Sequence, residues 1–135
     1  MAKVIFILGL CGSGKTYLSE QLKKQTGADV FENLFEDGSN LSALIQRLKE
    51  GKDCIIDEVR LCLSTYRDAI MQHLSQIADL ETHWICYEND LESANWNVMH
   101  RKNKGDPEGH LEINLRLHPH YDQPANAAII PIQRI

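Results

Sequence analysis

Five short runs with strand character alternate with stretches of helical periodicity along the chain. The first, Val4-Ile5-Phe6-Ile7-Leu8, contains no polar residue and reads as a buried strand. Leu18 and Leu22 fall four apart on a helix that begins near Gly14 and stops at Gly27, the residue type best suited to a left-handed helix end. Ala28-Asp29-Val30-Phe31 is a second strand, and Leu41, Leu44, Ile45 and Leu48 mark one face of a helix ended by Gly51. Asp53-Cys54-Ile55-Ile56-Asp57 reads as a third strand buried on both faces, followed by a helix striped with Tyr66, Ile70, Leu74 and Ile77. His83-Trp84-Ile85-Cys86-Tyr87 supplies a fourth strand, and Asn89-Asp90-Leu91-Glu92 opens the next helix with a cap three residues before a Glu. The last candidate is Ala128-Ile129-Ile130-Pro131-Ile132, where Pro131 lacks an N–H and points to a sheet edge or an irregular end.

Strands alternating with helices favour an α/β fold: a parallel sheet between two helical layers, joined by right-handed crossovers, with ligands at the carboxyl ends of the strands. A length of 135 residues with 43% hydrophobic composition suits one domain over 1–135, without internal repeat or linker.

The turn after the first strand carries the chemistry. Gly9-Leu10-Cys11-Gly12-Ser13-Gly14-Lys15-Thr16 fits G-x-x-x-x-G-K-[ST] at every fixed position, with a strand before and a helix after. Glycines let the backbone wrap a polyphosphate so that successive N–H groups turn inward, with Gly9, Cys11, Gly12, Ser13, Gly14, Lys15 and Thr16 the candidate binding residues, and the helix adds its positive end. A helix dipole contributes only about 0.3–2 kcal/mol, whereas micromolar affinity requires about 8 kcal/mol, so Lys15 and a magnesium ion must contribute the rest. Lys15 is expected on the β- and γ-phosphates of ATP, and the Thr16 hydroxyl on the metal. Cys11 reads as a small residue whose backbone matters, since no CxxC accompanies it.

Asp57 and Glu58 stand where the third strand would present carboxylates to bound Mg²⁺; Asp57 is the expected metal-side acid, acting through water. Glu58 is a candidate for orienting water in ATP hydrolysis. A phosphotransferase needs a carboxylate near the second strand to accept the acceptor's proton, and Glu32, Glu36 and Asp37 are available, with Glu32 nearest the strand end.

A formal charge of −5 argues against a broad polyanion-binding face, leaving room for one nucleotide or, less favoured, a nucleic-acid end. Four scattered cysteines suit reduced thiols, and no apolar run of membrane-spanning length occurs, so a soluble cytoplasmic protein without membrane attachment is expected. His100, Arg101, Lys102 and Lys104, followed by Gly105, Asp106, Pro107 and Gly109, suggest a mobile basic lid over 101–121 that would place Arg101 on the migrating phosphoryl group. Arg60 and Arg67 are candidates for holding acceptor, with surface solvation the alternative. Asn103-Lys104-Gly105-Asp106 spells the guanine-recognising N-K-x-D, but the residues before it are polar and read as helix rather than buried strand, so it is set aside. His110, His118 and His120 read as loop packing rather than a metal site, and Trp84 and Trp96 as core rather than base-stacking residues.

GLCGSGKT after the first strand, CIIDE at the third and N-x-x-x-R from Asn97 to Arg101 together resemble small P-loop kinases of the nucleotide and polynucleotide kinase type. The resemblance implies a sheet of order 2-3-1-4-5, ATP as donor and Arg101 as lid arginine. It implies a kinase that moves the γ-phosphoryl group to a nucleotide-like or other small acceptor. The alternatives are an ATPase using Asp57 and Glu58, or a nonenzymatic nucleotide-binding regulator. The Asp-Arg acceptor signature of that family after the second strand is not evident, and 103–121 is short for a full lid.

Overall fold

The computed structural model describes residues 1–102 and 105–135. Strands β1 (Lys3–Leu8), β2 (Asp29–Glu32), β3 (Cys54–Asp57), β4 (Glu81–Tyr87) and β5 (Ala128–Ile130) alternate with helices α1 (Lys15–Thr26), α2 (Gly38–Lys49), α3 (Ser64–Leu74), α4 (Leu91–His100) and α5 (Pro107–Leu117). All strand pairs are parallel, in the order β2-β3-β1-β4-β5. β1 is central: Ile5 lies opposite Ile55 on one side and His83 on the other.

A period of two divides the side chains of β1 between two cores. Val4, Phe6 and Leu8 join Ile56, Leu44 and Leu48 of α2, and Ile70 and Leu74 of α3. Ile5 and Ile7 face the opposite layer, with Leu18 and Leu22 of α1 and Leu91 and Ala94 of α4. The sheet is thus covered on both faces, which accounts for the apolar character of β1 and β3.

The local signals acted largely as read. Gly27 ends α1 in the left-handed region (φ 76°), and its N–H donates to the Lys23 carbonyl. Gly51 takes φ 80° one residue beyond the Glu50 cap of α2. The start of α4 differs by one residue: Asp90, not Asn89, is the cap, its carboxylate accepting from the Ser93 N–H, while Asn89 donates to the His118 carbonyl. Ile77 lies beyond the end of α3 yet still packs on the core. Pro131 falls just past β5, the edge strand.

The segment read as a lid over 101–121 carries α5 and a short 3₁₀ turn, His118–His120. Gly105, Asp106 and Pro107 are punctuation before a helix rather than within a loop: Asp106 is the N-cap, and Pro107 sits in the first turn, where a missing N–H costs nothing. Lys104 of the basic cluster and Asn103-Lys104 of the N-K-x-D match lie outside the described residues. The segment preceding that match is indeed helix α4 rather than strand.

Arg67 is neither solvated nor in an acceptor site. It is buried, donates to the Leu61 carbonyl at 2.8 Å and the Asp122 carbonyl at 3.2 Å, and pairs with the Asp122 carboxylate, tying α3 to the segment before β5. Trp84 stacks on Phe6 with centroids 4.1 Å apart, whereas Trp96, 41% exposed, stacks on His100 and lies under the Arg134 guanidinium. Trp96 is therefore not the core residue expected from sequence. All four cysteines are free, and burial pushes the Cys54 and Cys62 thiols up to about 12. No described helix is long and apolar enough to cross a membrane.

Removing the buried guanidinium in Arg67→Ala should cost about 2 kcal/mol, because two carbonyls lose a charged donor. The midpoint of urea unfolding measures it; a solvated arginine would leave that midpoint unchanged within about 0.5 kcal/mol.

Candidate functional site

The turn between β1 and α1 is shaped by two left-handed glycines. Gly12 has φ 86°, and a Cβ there would lie 2.3 Å from the Ala94 carbonyl oxygen. Gly14 has φ 113° and caps α1, with the Tyr87 hydroxyl, which donates to the Gly14 carbonyl at 3.2 Å, filling the space a side chain would need. The Ser13 N–H closes the turn on the Leu10 carbonyl at 3.1 Å. The first N–H groups of α1 have no intrahelical acceptor, and no side chain caps them. Ser13 Oγ is buried without a hydrogen-bond partner. Orphan donors, a positive helix end and a glycine-shaped hollow fit a polyphosphate.

Lys15 is buried at the base of this cradle, its Nζ donating to the Leu10 carbonyl at 3.0 Å, and it forms no ion pair among the described residues. Thr16 Oγ1 donates to Asp57 Oδ2 at 3.1 Å. Parallel pairing sets this contact: Ile7 lies opposite Asp57, so β3 ends beside the turn that follows β1. A hydroxyl and a carboxylate together on the cradle's rim are hard oxygen donors of the kind Mg²⁺ takes, with phosphate oxygens and water completing its shell.

Register also brings Glu32 opposite Asp57. Partial burial, with Asp57 and Glu20 nearby, pushes the Glu32 carboxyl above the ordinary glutamate range. The two alternatives to Glu32 are engaged elsewhere. Asp37 caps α2, and its bonds from Ser39 hold its carboxyl below the usual range, while Glu36 pairs with Arg60 at 3.5 Å. Glu58 is buried, and its Oε1 accepts from the Arg60 N–H at 3.2 Å and lies 3.4 Å from the Arg60 guanidinium. It caps the 3₁₀ turn Val59–Cys62.

Lys15, Thr16, Glu32, Glu36, Asp57 and Glu58, but not Asp37, open into one cleft of about 1350 Å³. On the β2–β3 side it is lined by Tyr17, Glu20, Glu32, Glu58, Arg60 and Tyr66; on the β4–β5 side by Tyr87, Asn97, Ile130, Pro131 and Gln133. Arg101 and His110 also line it. Arg101 donates to His110 Nδ1, and its own Nε is buried without a partner. Burial first, then the Arg101 charge, lowers the His110 pKa, favouring the neutral ring that this contact requires. His118 and His120 both lie in the 3₁₀ turn, with His120 exposed.

Asn97, singled out from sequence only as the first residue of N-x-x-x-R, and Asn114, which sequence reading missed, both hold the backbone of the cradle. Asn97 Nδ2 donates to the Gly12 carbonyl and to the Gln133 carbonyl, both at 2.8 Å. Asn114 grips both backbone groups of Cys11. The available signal was helical spacing: His110, Ile113, Asn114 and Leu117 recur at i, i+3, i+4 and i+7, placing a polar amide on an inward face. Burial raises the Cys11 thiol pKa despite nearby Lys15 and Arg101.

No family model matches the chain. It is 28% identical over 125 residues to an uncharacterized protein of Acanthamoeba polyphaga mimivirus, covering 89% of this chain and 86% of that one. Among solved structures, a gluconokinase from Sinorhizobium meliloti 1021 superposes with a TM-score of 0.66 at 15% identity, covering 98% of this chain and 84% of that one. A fungal RNA kinase gives 0.70 at 13% identity, covering 100% and 78%. The fold is that of the small P-loop kinases, with the strand order the resemblance implied.

Gly12→Ala should destabilise the fold by about 1–3 kcal/mol, since the new methyl group meets the Ala94 carbonyl in a left-handed backbone. Chemical denaturation reads the effect directly.

Proposed function

We propose that this chain of P-loop kinase fold is a magnesium-dependent phosphotransferase that moves the γ-phosphoryl group of ATP to a hydroxyl of a small acceptor. The observation that carries this reading is the convergence, in one cleft, of Lys15 in its amide cradle, the Thr16–Asp57 pair and Glu32. Gly9 shapes the start of the cradle. Cys11 shapes its turn, Gly12, Ser13 and Gly14 supply its inward backbone, Lys15 its mobile charge, and Thr16 and Asp57 the metal's protein oxygens. Bound Mg²⁺ would neutralise phosphate charge. Lys15 exchanges the Leu10 carbonyl for phosphate oxygen. Arg101, presented by His110, faces the migrating group. Glu32 takes the proton of the acceptor hydroxyl as the acceptor O–P bond forms and the bond to ADP breaks. Rate enhancement is mostly position and charge.

Charge divides the cleft by role. Its β2–β3 half carries Glu20, Glu32, Glu36 and Glu58 against Arg60, which Glu36 and Glu58 already engage. A like-charge pair about 8 Å apart costs about 2 kcal/mol at an effective dielectric of 20, so this half favours an uncharged or cationic acceptor over a nucleotide or nucleic-acid end. The residues named on the β4–β5 side include no carboxylate and suit the nucleoside. The free thiols accord with a reducing, cytosolic setting.

The hydrolytic alternative needs a carboxylate free to orient water, and Glu58 is buried and committed to Arg60 and its own 3₁₀ turn. Glu32→Gln should lower kcat by about 10²–10⁴-fold, whereas Glu58→Gln should leave acceptor phosphorylation in place. A screen of γ-labelled ATP against polyols, amino alcohols, nucleosides and strand ends measures both. Label recovered only as inorganic phosphate would overturn the kinase reading, and magnesium-dependent ATP binding with no turnover on any acceptor would favour the nonenzymatic one. Because the Glu32 carboxyl titrates above the ordinary range, activity should fall as pH drops through that raised value, and Glu32→Gln should lose this acid limb.

A further inference from the structure

Asn114 is fully buried in the middle of α5, and its side chain does not line the cleft. Its Oδ1 accepts the Cys11 N–H at 2.7 Å, while its Nδ2 donates to the Cys11 carbonyl at 2.8 Å and to Asn95 Oδ1 at 3.0 Å. Both amide hydrogens and one acceptor position are therefore used, which fixes the orientation of the group and offsets the cost of burying it. Gripping both main-chain groups of one residue prevents either adjoining peptide from rotating.

The geometry points to a positioning role for Asn114 in phosphate binding, resting on the nucleotide reading above. The peptide joining Cys11 to Gly12 is planar and trans, so its C=O and N–H point in opposite directions. With the Cys11 carbonyl held toward α5, the Gly12 N–H is turned away from α5, to the cradle's open side. The Cys11 N–H, taken by Asn114, is withdrawn from phosphate binding. Cys11, a candidate binding residue by its place in the motif, then shapes the loop, and Gly12 presents the first amide. Asn95 on α4 holds the second hydrogen of Nδ2, so α4 and α5 jointly set the aim of the loop.

Calorimetric titration of the full chain with MgATP and with adenosine tests this in wild type and Asn114→Ala. The expected result is a loss of MgATP affinity of about tenfold or more with adenosine affinity changed less than twofold. Equal losses for the two ligands, or none for MgATP, would overturn the positioning role. If the alanine variant fails to fold, ¹⁵N-labelled wild type decides: MgATP should shift the Gly12 amide resonance strongly and leave that of Cys11 nearly in place. A dominant Cys11 shift refutes the proposal. Failure of the wild type to take up MgATP overturns the nucleotide reading itself, and this inference with it.

Discussion

The hydrogen-bond ladder of β1 with β3 and β4 is the constraint on which the rest depends. Parallel pairing leaves all carboxyl ends at one edge of the sheet, and register determines which residues meet there. A slip of one residue would turn Ile5 and Ile7 into the layer occupied by Phe6 and Leu8, and would carry Asp57 away from Thr16. Core packing and site geometry are thus one specification. The apolar alternation that fills the two layers also brings a hydroxyl and a carboxylate within hydrogen-bond distance across 41 residues of sequence.

That coupling explains which features the sequence could reveal. Strand-helix alternation, the ends of α1 and α2 and the glycine-rich turn depend on neighbouring residues, and periodicity reports them. Strand order was reached through resemblance rather than pattern, because nothing local in Val30 or Ile85 states which strand lies beside which. The helix at Pro107–Leu117 was hidden by its own start signals, which resemble a loop when no packing surface is known. Arg67 was misread for the same reason: a charged residue on an amphipathic helix looks solvated until Asp122, 55 positions away, is seen against it.

The site divides along the same line. Lys15, Thr16 and Asp57 occupy motif positions, and their convergence could be expected from chemistry alone. Asn114 could not, since it acts on the backbone of the glycine-rich turn from a distant helix and belongs to no local pattern of ionisable groups; Asn97 was visible only as the first residue of N-x-x-x-R, without its contact to the Gly12 carbonyl. Electrostatics adds a detail that composition concealed. A net charge of −5 is an average, whereas the cleft gathers Glu20, Glu32, Glu36, Asp57 and Glu58 around Lys15, with Arg60, Arg101 and Arg116 also on its lining.

The two tryptophans emit from unlike surroundings. Trp84 is clamped face to face against Phe6 on the central sheet, and Trp96 stands in solvent on α4, flanked by a histidine and an arginine. Intrinsic fluorescence from this chain is consequently a composite of two signals. The Trp96 contribution follows the surroundings of α4, and the Trp84 contribution follows its stacking on Phe6 at the sheet.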